Sequence, residues 1–246
     1  MRVVFFPLPS KQFRQRILGV ALIIVLALLA LLSVEGVKKM VPTLAGSDNP
    51  LFQVKTDSQV ASLAINVAWG EEYIPDLLAT LAADEVKATF FMVGEWVNQF
   101  PELTQKIAAG GHELGNHSFS HPYPTQIGAK ELAAEIKDTE TLLVELTGQR
   151  NLLFAPPYGE WDEQVVLTAS ELGYHTIMWT IDTIDWQKPG VGVIVERVLA
   201  NLAPGSIILM HPTEQTVAAL PQILAGAAEQ GFSFLTVSQL MEEGGP

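Results

Sequence analysis

The side chains best able to do chemistry in this chain are histidines and acids grouped at a few places. His117 and His121 lie in Gly111-His112-Glu113-Leu114-Gly115-Asn116-His117-Ser118-Phe119-Ser120-His121-Pro122. Four residues is about one helical turn, so the two imidazoles can face one point and share a divalent metal. Two surface or capping histidines have the same spacing. A predicted strand directly before the pair, and Gly and small polar residues around it, mark a strand-end loop, where functional residues concentrate. Asn116-His117-Ser118 also matches a glycosylation sequon, read here as chance within a catalytic loop. His211 ends the apolar run Ser206-Ile207-Ile208-Leu209-Met210. It is either a strand-terminal hydrogen-bond donor or a general acid, since imidazole titrates near neutral pH.

Asp182 and Asp185, followed by Trp186, come after another strand candidate. A carboxylate there can accept the second N–H of a histidine and fix its tautomer; Asp182 also suits a turn cap. Phe154-Ala155-Pro156-Pro157-Tyr158-Gly159 is a rigid turn. The backbone N–H of Tyr158 can help bind an oxyanion, and the same composition serves equally as a plain connector. Trp161, Trp179 and Trp186 suit either a sugar platform or core packing. His112 and His175 sit inside apolar strands and read as core.

The elements that must position these groups alternate from residue 60 onward. Predicted strands are Ser62–Ala68, Lys87–Val93, His112–Leu114, Leu152–Phe154, His175–Thr180, Ser206–His211 and Ser233–Leu235. Between them Pro75–Ala83, Trp96–Ala109, Ala129–Leu146, Glu163–Leu172, Val193–Leu202 and Val217–Glu229 show apolar residues at helical spacing. Pro101 restarts the second of these helices. About seven strands with intervening helices imply a parallel sheet with right-handed crossovers, as an α/β barrel or an open doubly wound sheet. In a parallel barrel the reacting groups gather at the C-terminal strand ends, where the polar clusters fall.

Composition narrows the function classes. With 48% hydrophobic and 17% charged residues, the chain is no disordered polymer. The absence of cysteine excludes a disulfide scaffold, cysteine-ligated zinc and a thiol nucleophile. The net charge is −13, and four cations (Arg2, Lys11, Arg14, Arg16) precede the first acid, Glu35. Residues 35–246 therefore carry 10 basic and 27 acidic groups, a balance of −17. Such a domain repels nucleic acid, which is not an expected partner. Ile17–Val34 is an uncharged run of 18 residues, about 27 Å as a helix and close to the hydrocarbon thickness of a bilayer. The chain thus divides into a basic cytoplasmic segment at 1–16, a transmembrane signal-anchor at 17–34, a linker at 35–58 and the catalytic-type domain at 59–246. The cations before the anchor place that domain outside the cytoplasm, as a single-pass cell-membrane protein. A cleaved signal peptide is the competing arrangement.

From about Val60 to Leu240 the chain resembles the polysaccharide deacetylase family, the NodB-homology carbohydrate esterases, and most closely their sporulation and envelope deacetylase-like branch. The likeness rests on Lys87-Ala88-Thr89-Phe90-Phe91, Gly111 to His117 continuing to His121-Pro122, Pro156-Pro157-Tyr158-Gly159, Asp182 to Trp186, and Ser206 to His211. The resemblance implies a distorted (β/α) barrel that removes N- or O-acetyl groups from cell-wall or chitin-like glycans. It implies that His117 and His121 are metal ligands, usually for zinc, and that His211 is a general acid tuned by Asp185. Tyr158 belongs to the oxyanion pocket, and Pro157, Tyr158 and Trp186 would meet the substrate.

Two positions depart from the family. Its first strand ends in Thr-Phe-Asp-Asp, giving a general base and a third metal ligand, whereas Ala64-Ile65-Asn66-Val67-Ala68-Trp69-Gly70 holds no carboxylate. Asn66 stands for the base in this alignment, and an amide takes no proton at neutral pH. The arginine that pairs with the base is Ala155 here. A buried arginine without its carboxylate would cost roughly 3–5 kcal/mol, so loss of one explains loss of the other. Glu71 and Glu72 are the nearby acids on this segment that could take over a missing role. The expectation is a membrane-anchored, metal-assisted deacetylase of weakened activity; the alternative is a non-catalytic glycan-binding or sporulation and envelope module on the same fold.

Overall fold

The computed structural model describes residues 49–244. The apolar run Ile17–Val34 lies outside these residues, and among the described residues no helix is long and apolar enough to cross a membrane. The strands are β1 (Val60–Val67), β2 (Thr89–Met92), β3 (Glu113–Asn116), β4 (Leu153–Phe154), β5 (His175–Thr176), β6 (Ile181–Asp182), β7 (Ser206–Met210) and β8 (Ser233–Phe234). The helices are α1 (Ile74–Ala83), α2 (Gly94–Gln99), α3 (Pro101–Ala109), α4 (Ala129–Thr147), α5 (Glu163–Glu171), α6 (Val191–Leu199), α7 (Glu214–Glu229) and α8 (Val237–Glu243).

The strands form one sheet in the order β5-β4-β3-β2-β1-β7-β6, with β8 also paired to β1. Every strand pairing is parallel. The edges β5 and β6 do not pair with each other, so the expected barrel is realised as a curled sheet left open on one side.

Burial on both faces explains why β1 reads as a continuous apolar run rather than an alternating one. Ala61, Leu63, Ile65 and Val67 join the main core with Leu77 and Leu81 of α1 and Leu220 of α7. The opposite face of β1 puts Ala64 into a second cluster with Phe91, Ala155 and Ile207. Small residues are needed there: a Cβ on Gly115 would lie 2.5 Å from the Phe91 ring.

Three expectations change. The strand expected over His175–Thr180 breaks after Thr176, because the chain must leave β4 and cross the gap to reach β7. Thr180 then donates its N–H to Ile207, and the short β6 follows. Second, residues expected as linker dock into the domain. Leu51 bridges Ile177, Gln53 bridges Ser206, and Val54 is buried. Gly205, at φ 75°, lies so close to this segment that a Cβ would sit 1.8 Å from the Val54 carbonyl. Third, the helix expected over Trp96–Ala109 is two helices, broken at Phe100 (φ −126°, ψ 57°) directly before Pro101. Helix α8 was not expected. Its Thr236-to-Gln239 capping box is visible in the sequence but precedes too short an apolar pattern to stand out.

Candidate active site

The C-terminal ends of β1, β3, β4, β6 and β7 converge on a cavity of about 340 Å³. Its wall includes Asn66, Ala68 and Trp69 from the end of β1, His117 and His121 from the loop after β3, and Tyr158, Trp186 and His211. β1 and β7 run side by side, with Ile65 opposite Met210, so the β1 rim and His211 are neighbours. Gly70 fixes that rim: at φ 82° its missing Cβ would sit 2.1 Å from the Pro212 carbonyl. Only glycine fits this close approach. Trp69, just before it, stacks on the His211 imidazole with ring centroids 5.7 Å apart and planes 8° from parallel.

His211 is tightly held. Its Nδ1–H donates to Asp185 Oδ1 at 2.8 Å, and its main-chain N–H donates to Asp185 Oδ2 at 2.6 Å. Thr216, in the first turn of α7, donates its hydroxyl to the same Oδ2 at 2.6 Å. Asp185 is fully buried. A carboxylate receiving three donors fixes the imidazole ring and its tautomer, leaving Nε2 as the atom that can carry a proton to a bound group. The expected pairing of His211 with Asp185 is therefore present. Asp182 keeps its plainer role too, accepting the Ile184 N–H at 2.8 Å, while also lining the cavity.

His117 follows β3 directly, and its Nδ1–H donates to the Ala155 carbonyl at 2.6 Å. That bond leaves Nε2 free as a lone-pair donor. The helical turn expected to bring the two histidines together is absent. A loop does it instead, with Ser118 at φ 64° and His121 at φ 57°, and the rings meet edge to face at 4.8 Å. Asn116 steadies this loop by donating to the Ile136 carbonyl and accepting the Ser118 N–H. Glu135 of α4 accepts the N–H groups of Phe119 and Ser120 and the Ser120 hydroxyl. Glu135 carries no signal in the sequence, because one acid on a polar helix face looks like any other.

Burial pulls the His117 pKa down to about 3, with the neighbouring His121 and His211 adding to the effect and the bond to Ala155 opposing it. Burial likewise lowers His121. Both rings are neutral at pH 7 and able to ligate. A zinc site, however, takes at least three protein ligands. Among the described residues no group of three His, Cys, Asp or Glu side chains is placed to hold a metal. Glu71 and Glu72 do not complete it. They line a separate hollow beyond Trp69, with Lys188 and Glu214. The residues present thus fit two ligands of a metal and not the set.

The turn at Tyr158 carries the remaining predicted residues. Tyr158 is in the left-handed region (φ 59°, ψ 4°) and half exposed on the cavity, with its ring 4.5 Å from His121 and stacked on Tyr123 at 4.1 Å. Left-handed non-glycine residues cost on the order of 1 kcal/mol or more, and Ser118, His121 and Tyr158 concentrate that strain at this one place. Trp186 is exposed and lines the cavity; Pro157 is buried in the turn and does not. Ala155 is buried, its methyl in the second cluster and its carbonyl on His117. Trp161 pairs with Phe52 at 6.1 Å, away from the cavity wall.

His112 is core, as expected, accepting the Ala88 N–H on Nδ1 at 3.2 Å with its ring on Phe90; His175 is only half buried. Burial and then the Lys87 charge lower the His112 pKa from 6.5 to about 4. The unfolded imidazole therefore takes up a proton at a pH where the folded one does not. Its stabilising contribution is complete above pH 6.5 and drains as pH falls toward about 4. We expect this group to account for a loss on the order of 1–3 kcal/mol over that window. His112→Asn, which keeps an acceptor for Ala88, should flatten the profile of urea midpoint against pH; an unchanged profile would refute the assignment.

Comparison with known proteins agrees with this geometry. The family model for polysaccharide deacetylase matches residues 53–177. Protein YlxY of Bacillus subtilis is 39% identical over 194 residues, 79% of this chain and 61% of that protein. A peptidoglycan-N-acetylglucosamine deacetylase of Bacillus cereus is 35% identical over 196 residues, 77% of this chain and 92% of that protein. The first relatives are longer: the chain spans 61% and 64% of their lengths. Among solved structures, BA3943 of Bacillus anthracis, a CE4 family pseudoenzyme, superposes with a TM-score of 0.78 at 37% identity, covering 80% of this chain and 70% of that one. A mutant of BA3943 with restored enzymatic activity matches with a TM-score of 0.78 at 36% identity, over 80% of this chain and 72% of that one. With the curled parallel sheet, the histidine pair and the His211–Asp185 couple in their places, the chain belongs to the polysaccharide deacetylase family, the NodB-homology carbohydrate esterases.

Proposed function

We propose that this is a membrane-anchored, extracytoplasmic polysaccharide deacetylase-family protein that acts on acetylated cell-wall glycan, with hydrolysis much weakened. The observation that carries the reading is the β1 rim. Asn66, Ala68 and Trp69 line the cavity where a base and a third metal ligand are needed, and none is a carboxylate. The acid half is intact: His211, oriented by Asp185, can protonate a leaving amine, and Tyr158 and Trp186 offer surface to a sugar. Nothing on the rim takes a proton from an attacking water. Glycan should therefore bind and very little acetate should leave.

The relatives support this balance. Several are peptidoglycan deacetylases, and BA3943 shows that a protein of this fold can lack activity and regain it by mutation. A second reading keeps efficient catalysis, because one carboxylate, Asp182, does line the cavity. Its Oδ1 accepts the Ile184 N–H, so Oδ2 is the oxygen that would take the proton in that reading. Binding of N-acetylglucosamine pentamer to the full-length chain, followed by calorimetry, tests the proposal. Measurable affinity without acetate release supports it. No affinity removes it, and rapid release abolished by Asp182→Asn supports the second reading. The anchor at 17–34 is tested separately, by whether the full-length chain sediments with membranes after an alkaline wash.

A further inference from the structure

Trp69 belongs to the stretch in which the family's carboxylates are missing, and its surroundings give it a different task. It is 44% exposed, unusual for an indole just past the buried C-terminal end of a strand. It is not a loose surface residue, since Gly70 behind it is locked against the Pro212 carbonyl and one indole face is parallel to the His211 ring.

Trp69 also borders three hollows at once. The central cavity shares Ala68, Trp69, His121 and Tyr158 with a second hollow of about 360 Å³ that runs toward Glu95 and Gln99. It shares Trp69 and Trp186 with a third, of about 480 Å³, that runs toward Lys188 and Thr213. The three therefore adjoin at the Trp69 side chain, and each alone is within the range of a small-ligand site. A ligand that reaches from the central cavity into its neighbours past Trp69 is elongated. It is also no polyanion, because residues 35–246 carry a balance of −17 and repel one. An aromatic face with polar walls suits the C–H face of a pyranose ring and its hydroxyl rim.

We propose that Trp69 is the specificity-determining residue of the site. It stacks on a neutral pyranose at the junction of the three hollows, so that the groove reads a run of at least three N-acetylated amino sugars rather than one. This rests on the glycan reading above and goes beyond it in naming the residue and the ligand length.

The test is calorimetric titration of the full-length chain in detergent with N-acetylglucosamine dimer and pentamer. The pentamer should bind the wild type about tenfold or more tightly than the dimer. Trp69→Ala should lose roughly tenfold in pentamer affinity, about 1.4 kcal/mol, and with it most of the difference between dimer and pentamer. Trp69→Phe should stay within about threefold of wild type. Trp161→Ala, an exposed tryptophan that borders none of the three hollows, should bind as wild type does. Should Trp69→Ala not fold, fluorotryptophan-labelled wild type gives the same answer: the fluorine resonance absent from Trp69→Phe must shift on adding pentamer. Equal pentamer affinity in wild type and Trp69→Ala, or an unmoved Trp69 resonance at saturation, overturns this proposal alone. Failure of the wild type to bind pentamer overturns the glycan reading and this inference together.

Discussion

Asp185→Ala should lower the stability of the domain by about 3–5 kcal/mol, measured as a fall in denaturant midpoint at pH 7. Asp185 is fully buried and accepts three hydrogen bonds, from the His211 N–H, the His211 Nδ1–H and the Thr216 hydroxyl. Removing the acceptor leaves those donors in a site that water does not reach. Each buried unmet group costs about 1–3 kcal/mol, and the three do not add fully because Thr216 can rotate its hydroxyl to Thr213 at 2.8 Å. Asp185→Asn keeps the shape and one acceptor oxygen but points an amide donor at another donor, so it should cost somewhat less, about 2–4 kcal/mol. Any residual acetate release should disappear in both variants, since His211 would lose the bond that fixes its tautomer. A loss under 1 kcal/mol in Asp185→Ala would show that the carboxylate is not the hub of this end of the sheet.

Ala155→Arg should be the other severe change, at about 3–5 kcal/mol. The Ala155 methyl is buried among Ala64, Phe91, Leu153, Ile177 and Ile207, and its carbonyl orients His117. An arginine there both overpacks the cluster and buries a cation with no partner. Asn66→Asp alone should do little, because a carboxylate on that buried wall without a cation tends to take up a proton. Together the two should recover part of the loss, with a coupling on the order of 1–3 kcal/mol, and should release more acetate than either single variant. Strict additivity would mean the two side chains do not meet. The missing carboxylate would then belong to Ala68 or Trp69, which share the cavity wall with Asn66.

Much of this arrangement was legible in the residues. The continuous apolar runs of β1, β2 and β7 required a sheet buried on both faces, and the intervening helical patterns required parallel strands. A carboxylate beside His211 followed from two strand ends that a parallel sheet must bring to one side, and the family resemblance singled out Asp185. What the sequence concealed is of four kinds. The two-residue strands β4, β5 and β6 carry no periodicity, so the break after Thr176 and the crossing of the gap could not be counted. Leu51 to Val54 look like linker because their partners, Ile177, Ser206 and Gly205, lie about 150 or fewer residues away in a direction that local pattern does not encode. The His117–His121 contact was anticipated for the wrong reason: the spacing suggested a helix, while left-handed residues at 118 and 121 fold the loop back on itself. Trp69 was passed over because an indole beside a strand end reads as core until its exposure and its stack on His211 are seen.

The central claim is that this site holds the acid and the histidine pair but lacks the base. Steady-state acetate release from N-acetylglucosamine pentamer, followed with the full-length chain in excess zinc, tests it most directly. The account predicts a rate no higher than that of His117→Ala measured beside it. Turnover of about 1 s⁻¹ or faster, an ordinary enzymatic rate, that is abolished in His117→Ala would contradict it.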